Sequence, residues 1–189
     1  MSNPQTIAAV SATAGTPTPI FTGAVTAAIS FVISNGLATI TMGSLPAGYE
    51  LGKQVTLWGF TTGTYFNGET VTVVSNNPAL KSFSFTITHG NVGSTNDAGN
   101  TAPSPVQRFR AVRIEPDSGN GSSHVIYVGD KNVSSSRYTT VLYLNPASPP
   151  IPTNIWFGGE GNLGQNIDAS RIFIDTDSTG SKAQVTLFY

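Results

Sequence analysis

Glycine and proline recur so often along this chain that no long regular element can form. There are 20 glycines and 12 prolines in 189 residues, roughly one such residue in every six, and both interrupt regular structure. No window of ten residues places apolar side chains at the spacings of three and four that a helix requires. Long helices are therefore excluded, and the sequence predicts an all-β fold of short strands.

Charged side chains are scarce. They make up 10% of the residues and the net charge is −1, whereas about 25% is usual for soluble domains. A nucleic-acid partner needs a basic field and is not expected. Low charge with 39% hydrophobic residues favours surface that is buried against other chains; the alternative is an ordinary low-charge β-protein.

Neither a signal peptide nor a membrane span is predicted. The N-terminus has no basic region before an unbroken apolar core, and no stretch approaches eighteen apolar residues. The chain has no cysteine, so no disulfide is expected. We expect a protein that is made in the cytoplasm and stays soluble or assembles there.

Three segments are predicted, and the first, residues 1–30, is an extended arm. It is rich in Ala, Thr, Ser and Pro, and the first charged side chain of the chain is Glu50. Such a segment has too little apolar bulk for a core of its own. We expect a neighbouring subunit to hold the arm; the alternative is packing on its own domain as an added strand, through residues 31–33.

The second segment, residues 31–102, is predicted to be a small antiparallel β-module. Apolar residues alternate with polar ones in four stretches, which indicates strands with one buried face: residues 37–42, 53–60, 70–74 and 82–89. Asn67-Gly68 and residues 76–78 are predicted turns. Residues 89–105 are polar and rich in Gly and Asn, and their second half, with Pro103 and Pro105, is interpreted as the boundary to the next module.

This module resembles a repeat-like β-module of phage tail, fibre and other surface-associated proteins. The resemblance rests on a Gly-x-x-Val-Thr-Leu-x-Gly strand, a Phe-Asn-Gly turn and a Phe-x-Phe-Thr strand, within residues 36–40, 49–59, 65–73 and 83–86. It implies a spacer in a larger assembly.

The third segment, residues 103–189, is predicted to be a β-sandwich or jelly-roll-like module. Residues 125–129 carry no charge and lie between turn-forming residues, so they predict a buried strand around which the others pack. Further strands are predicted at residues 107–115, 137–144, 154–158, 171–175 and 183–189. Pro146, Pro149, Pro150 and Pro152 predict an extended crossover that cannot be central in a sheet.

The third segment resembles a β-sandwich module of tailed-phage virion proteins. The specific pieces are the Ile-Tyr-Val-Gly-Asp strand at residues 126–130 and the Val-Thr-Leu-Phe-Tyr terminus at residues 185–189. A proline-rich bend at residues 145–151 departs from the loop that is usual there. The resemblance implies a structural protein of a virion.

Candidate catalytic and metal sites are weak in this sequence. Ser123 and His124 are neighbours on a predicted strand and face opposite sides, so they do not form a catalytic pair. Residues 175–180 open like a calcium loop, but the twelfth position is Thr186, which cannot supply the bidentate acid. We expect these residues to form a hairpin turn between the last two strands, and we predict no catalytic residue, cofactor or metal.

Candidate interface residues are aromatic or basic. Trp58 and Phe60 alternate with Val55 and Leu57, so they are predicted to face outward or into a partner. Arg108 and Arg110 share a predicted strand face that could pair with acidic groups of a protein shell; the alternative is a solvated edge that blocks aggregation. The full set of interface candidates is Phe21, Phe31, Trp58, Phe60, Arg108, Arg110 and Trp156. Trp58, Trp156, Tyr65, Phe66 and Phe157 are also candidates for a sugar-stacking platform or a protein hot spot, with core packing as the default for most of them.

The sequence thus predicts a non-enzymatic capsid decoration (cement) protein of a tailed phage, located on the virion after assembly in the host cytoplasm. Its expected partners are the major capsid protein and copies of itself, in a homo-oligomer such as a trimer, with no nucleic acid and no membrane. The alternatives are a tail, baseplate or fibre-attachment component and a carbohydrate-binding adhesin module.

Overall fold

The structure is a computed structural model that describes residues 4–21, 23–104, 108–121, 123–145, 151–158 and 167–188. Its architecture is all-β, as predicted, and the strand pairings of the described ranges are antiparallel. The helical elements in those ranges are two short 3₁₀ turns, Thr64–Phe66 and Ala169–Arg171. Neither turn is long and apolar enough to cross a membrane.

The strands of the described ranges are short, as the density of glycine and proline requires. In chain order they are β1 (Pro4–Ser11), β2 (Thr18–Pro19), β3 (Thr26–Ser34), β4 (Leu37–Met42), β5 (Gln54–Trp58), β6 (Thr70–Thr72), β7 (Ser75–Asn77), β8 (Ser82–Thr86), β9 (Val92–Asn96), β10 (Asn100–Pro103), β11 (Arg108–Phe109), β12 (Ala111–Pro116), β13 (Val125–Gly129), β14 (Thr140–Asn145), β15 (Ile151–Pro152), β16 (Ile155–Gly158), β17 (Ile167–Asp168), β18 (Phe173–Thr176) and β19 (Lys182–Phe188).

The chain divides into two compact units. One is the continuous segment Thr22–Pro105, and the other combines Met1–Phe21 with Val106–Tyr189. We call them the inserted unit and the split unit, because the first interrupts the sequence of the second. The predicted boundaries after residues 30 and 102 therefore differ from those of the structure, in which the predicted arm contributes to both units.

The predicted arm is paired within its own chain. β1 runs antiparallel to β19, from Pro4 opposite Phe188 to Ser11 opposite Lys182, with a one-residue irregularity between Ile7 and Val10. Backbone hydrogen bonds of this kind form whatever the side chains are, which suits a segment of Ala, Thr and Ser. Thr18 and Pro19 form β2, which pairs with β18, and the last residues of the predicted arm, from Thr26 on, enter β3. The pairing corresponds to the alternative, packing on the chain itself, although through β1 rather than residues 31–33; low apolar bulk does not prevent a strand from pairing at a sheet edge.

The described part of the split unit has two main sheets in a β-sandwich-like arrangement and a further two-stranded sheet, β11-β17. One main sheet has four strands in the order β1-β19-β12-β16, and the other has five in the order β15-β14-β13-β18-β2. Inward side chains from both sheets form one buried cluster, which includes Val112, Val185, Ile126, Leu142 and Ile174. This arrangement is that of two sheets packed face to face.

The strand at residues 125–129 has the predicted central place. β13 lies between β14 and β18, and its side chains alternate between buried and half-buried positions. Pro152 lies in β15 at the sheet edge, where a proline does not break a ladder. The other three prolines of the predicted crossover lie outside the described residues.

Residues 177–181 are not the hairpin turn that was predicted. β18 belongs to the five-stranded sheet and β19 to the four-stranded sheet, so the segment between them passes from one sheet to the other. It is tied to the β1–β2 connection, where Gly180 N donates to Ala12 O at 2.9 Å and Ala12 N donates to Ser181 O at 2.9 Å. Sequence spacing does not distinguish a hairpin from such a crossover.

The inserted unit contains one sheet in the order β6-β5-β10-β3-β4-β8-β7, with β9 also paired to β3. The four predicted strands correspond to β4, β5, β6 and β8. The polar stretch 89–105 supplies β9 and β10, and the part that was interpreted as a boundary contains β10, which lies between β5 and β3. Gly and Asn content was misleading here, because Thr101 and Ala102 are fully buried within that segment.

Two buried polar side chains of the inserted unit, Asp97 and Tyr49, have hydrogen-bond partners. The Asp97 carboxylate accepts hydrogen bonds from the backbone N–H groups of Thr61, Thr62 and Gly63 at 2.7–3.0 Å and from the Thr61 hydroxyl at 3.0 Å. Burial alone would raise the pKa of Asp97, but these hydrogen bonds hold it below its ordinary value. The Tyr49 hydroxyl lies 2.7 Å from the Thr101 hydroxyl, and burial raises the pKa of Tyr49.

Candidate functional site

Three of the predicted interface residues are buried, so those predictions are wrong. Phe31 and Phe60 belong to the core cluster of the inserted unit, and Trp58 is 5% exposed. Trp58 does lie opposite Leu57 on β5, but both faces of this strand are covered. Phe60 lies beyond the end of β5, where strand alternation no longer applies, and its ring packs 5.2 Å from that of Phe66.

Arg108 and Arg110 were predicted to share one face of a strand, but they do not lie on one continuous strand. β11 ends at Phe109 and β12 begins at Ala111, so Arg110 lies between them. Arg110 is exposed and its N–H donates to Phe188 O at 2.8 Å. The side chain of Arg108 lies outside the described residues. Phe21 is half-buried against Phe109, with ring centroids 5.2 Å apart in an edge-to-face contact.

Trp156 is the predicted interface residue that presents a large aromatic surface to solvent. It lies on β16, the outermost strand of the four-stranded sheet in the described part of the chain, and is 49% exposed. Its ring centroid is 5.1 Å from that of Phe188 at an angle of 31°. The sheet register places Trp156 opposite Arg113 on β12. Two strands away, Phe188 adds to the same apolar surface.

Arg113 links the aromatic side chains to a polar border. Its guanidinium carbon lies 5.9 Å from the centroid of the Trp156 ring, within cation–π range. Its Nη2 is paired with the Glu115 carboxylate, and Gln184 on β19 donates to Asp117. We call this surface, formed by Trp156, Arg113, Phe188 and Glu115, the Trp156 face. Its positive charge is already balanced within the chain.

The aromatic residues that were predicted to form a sugar-stacking platform do not come together on one surface. Trp58 and Phe66 are buried, and Phe66 lies at the centre of a group of rings. Tyr65 is half-buried and stacks on His89, with centroids 4.1 Å apart. Trp156 is the member of this set with the exposure that ligand binding requires.

The titratable groups in and near residues 175–180 have separate structural partners. Asp175 accepts from Gly15 N at 2.8 Å, and Asp177 accepts from Val125 N at 3.1 Å. His124 Nδ1 lies 3.7 Å from Asp177. Within the described ranges no group of three His, Cys, Asp or Glu side chains is placed to hold a metal ion.

A second exposed surface was missed at the level of sequence. Tyr127 on β13 and Tyr138 before β14 have ring centroids 5.5 Å apart, and Arg137 forms an ion pair with Asp130 at 3.1 Å. The available signal was the position of Tyr127, which alternates with the buried Ile126 and Val128. It indicated an outward side chain, but only the hairpin brings Tyr138 beside it.

Comparison of the chain with known protein families, with curated proteins and with solved structures gave no match.

Proposed function

We propose that this protein is a non-enzymatic structural component of a tailed-phage virion, with capsid decoration as its leading role and the major capsid protein as its partner. The Trp156 face carries the proposal. Tryptophan and arginine are the residue types that contribute most to protein–protein binding energy, and here the exposed Trp156 lies beside the half-buried Arg113 on neighbouring strands. The resemblance of both modules to phage proteins supplies the context.

The geometry changes the expected mode of attachment. β1 is already paired with β19, so attachment by a free N-terminal arm is not part of the proposal. Contact through the Trp156 face requires no rearrangement of the chain. Because Arg113 is paired with Glu115, the partner surface need not be strongly charged. In the described part of the chain β16 is an edge strand, and such an edge also offers backbone groups to a partner strand.

The first test is the copy number of this protein in purified particles of the phage that encodes it, measured by quantitative mass spectrometry against the major capsid protein. Capsid decoration predicts hundreds of copies. A number of about six to eighteen would place the protein in the neck, baseplate or fibres. Its absence from the particles would overturn the virion proposal.

The second test is Trp156→Ala, with Tyr143→Ala as the matched control. Tyr143 is an aromatic residue of the same unit with nearly the same exposure, 46%, and it lies on the other sheet. Removing a central aromatic contact costs about 2 kcal/mol or more of binding energy, so we expect Trp156→Ala to reduce incorporation into particles strongly. Equal incorporation of both variants would show that the Trp156 face is not the attachment surface.

A further inference from the structure

A shallow pocket lies at the end of the β13–β14 hairpin, in the part of the split unit where Tyr127 and Tyr138 meet. It has a volume of about 150 Å³ and is lined by Gly129, Asp130, Arg137, Tyr138 and Thr139. It is separate from the Trp156 face, because it belongs to the five-stranded sheet. A pocket of this volume suits a single small unit of a ligand rather than an extended polymer.

The loop that carries these side chains is held in one conformation. The Asp130 carboxylate accepts from Asn132 N at 2.8 Å, and Asp130 O accepts from Val133 N at 2.9 Å. Ser134 and Arg137 exchange backbone hydrogen bonds of 2.8 and 3.1 Å. Val133 is buried and anchors the loop. A loop fixed in this way loses little conformational entropy when it binds a ligand.

The polar side of the pocket is an ion pair with spare hydrogen-bonding capacity. Arg137 Nη2 donates to Asp130 Oδ2 at 3.1 Å, and the side chains remain 64% and 58% exposed. The hydrogen bond from Asn132 N and the nearby Arg137 hold the pKa of Asp130 below its ordinary value, so the carboxylate is ionised at neutral pH. The pair therefore offers both donors and acceptors while its charges cancel.

The apolar side of the pocket is an aromatic face. Tyr138 is 50% exposed. Its ring is tilted 35° from that of Tyr127, with the centroids 5.5 Å apart, which supports it from one side. Tyr127 itself is half-buried, and burial raises the pKa of its phenol. An exposed aromatic ring next to paired donors and acceptors is suited to a ligand with an apolar face and a polar rim.

We propose that this pocket binds a terminal, uncharged pyranose sugar of a surface glycan. A pyranose has a C–H face that can lie on Tyr138, and neighbouring hydroxyls that both donate and accept. Those hydroxyls match the Asp130 carboxylate and the Arg137 guanidinium. A charged ligand is disfavoured because an anion that approaches Arg137 also approaches the Asp130 carboxylate, and a cation that approaches Asp130 also approaches Arg137. This proposal does not depend on a virion role for the protein.

The test is titration of the ¹⁵N-labelled full-length chain with methyl glycosides of glucose, galactose, mannose and N-acetylglucosamine, followed by NMR. We expect at least one of them to shift the amide signals of residues 129–139 selectively, with an affinity on the order of 1 mM. Methyl glucuronide, which is charged, should bind more weakly than its uncharged counterpart.

Tyr138→Ala should weaken this binding at least tenfold, whereas Tyr143→Ala should leave it unchanged. Tyr143 lies at the other end of β14 and does not line the pocket. Arg137→Gln should also weaken binding, and the dispersion of the amide signals reports whether each variant is folded. The proposal is overturned if none of the four glycosides shifts these signals, if Tyr143→Ala weakens binding as much as Tyr138→Ala, or if the glucuronide binds more tightly.

Discussion

The two units of this chain differ in how many of their aromatic residues are in the core. In the inserted unit they are in the core, where the buried cluster contains Phe31, Tyr49, Phe60, Phe66, Phe83 and Phe85. In the described part of the split unit, the core is mainly aliphatic: Phe109 and Phe173 are buried, whereas Tyr138, Tyr143 and Trp156 are exposed. The same residue types therefore stabilise one unit and are available for binding on the other. Both proposed binding surfaces lie on the split unit for this reason.

The units also differ in which segments of the chain complete their sheets. The sheet of the inserted unit is built from one continuous segment, and its buried Asp97 carboxylate joins β9 and β10 to the loop after β5. The split unit is completed only when β1 reaches β19 at the far end of the chain. Three substitutions or deletions test these differences.

Phe66→Ala is expected to have the largest effect. Phe66 is fully buried and packs against the rings of Phe31, Phe60 and Phe85. Replacing a buried phenylalanine by alanine costs about 4 kcal/mol because the cavity cannot close. Trp58 is the single tryptophan of the inserted unit, so its fluorescence during urea unfolding, in a Trp156→Phe background, measures the change.

The control for this prediction is Tyr143→Ala in the same type of experiment, with Trp156 as the probe. We expect it to change the free energy of unfolding by less than about 0.5 kcal/mol, because the side chain is exposed. Similar losses in the two variants would contradict the contrast between an aromatic core and aromatic surfaces.

Removal of β1 is expected to have the second largest effect, and to act on the split unit. β1 pairs with β19 through six residue pairs, and at about 0.5 kcal/mol for each cross-strand pair the loss is about 3 kcal/mol. Urea unfolding monitored by Trp156 fluorescence, in a Trp58→Phe background, checks this value. A variant that lacks only residues 1–3 is the control, and an unchanged midpoint after deletion of residues 1–11 would show that the split unit does not need β1.

Asp97→Asn is expected to have the smallest of the three effects. An asparagine cannot accept all four hydrogen bonds of the carboxylate, which leaves buried N–H groups unpaired at a cost of about 2 kcal/mol. The pKa of Asp97 in the folded protein lies below that of an unfolded aspartate. Its stabilising contribution is therefore complete above the unfolded pKa and is lost as the pH falls through the folded pKa.

The pH dependence gives a direct measurement of this contribution. Urea midpoints from pH 7 to pH 2, followed by Trp58 fluorescence, should fall more steeply at acid pH for the native chain than for Asp97→Asn. Parallel curves for the two proteins would show that the Asp97 carboxylate is not the acid-sensitive group of the inserted unit.

Strand alternation predicted some features well and others poorly, and particular residues show why. It placed β4, β8 and β13 because each alternates over several residues between turn-forming sequences. It missed β10, since Asn100, Thr101 and Pro103 carry no alternating apolar signal. It put Trp58 on the face opposite Leu57 correctly, yet the conclusion that this face is outward was wrong because β5 is covered on both sides.

The residues of the two proposed binding sites were also predicted only in part from the sequence. Trp156 was a candidate from sequence because a tryptophan in a short strand of a charge-poor chain is a natural contact residue. Its neighbours Arg113 and Phe188 were not predicted as partners, because they are 43 and 32 residues away in sequence and meet it only through the pairing of β12 with β16 and β19. The sugar-binding proposal depends still more on the hairpin, which sets Tyr138 beside Tyr127.

By itself, the sequence determined the all-β class, the shortness of the strands and the central place of residues 125–129. These properties follow from local rules: glycine and proline limit element length, and a period of two selects strands. Only the tertiary structure decided the split of the chain into two units, the pairing of its ends and which aromatic side chains are exposed. Those outcomes depend on contacts between distant segments, and a local pattern contains no information about which segments will cover one another.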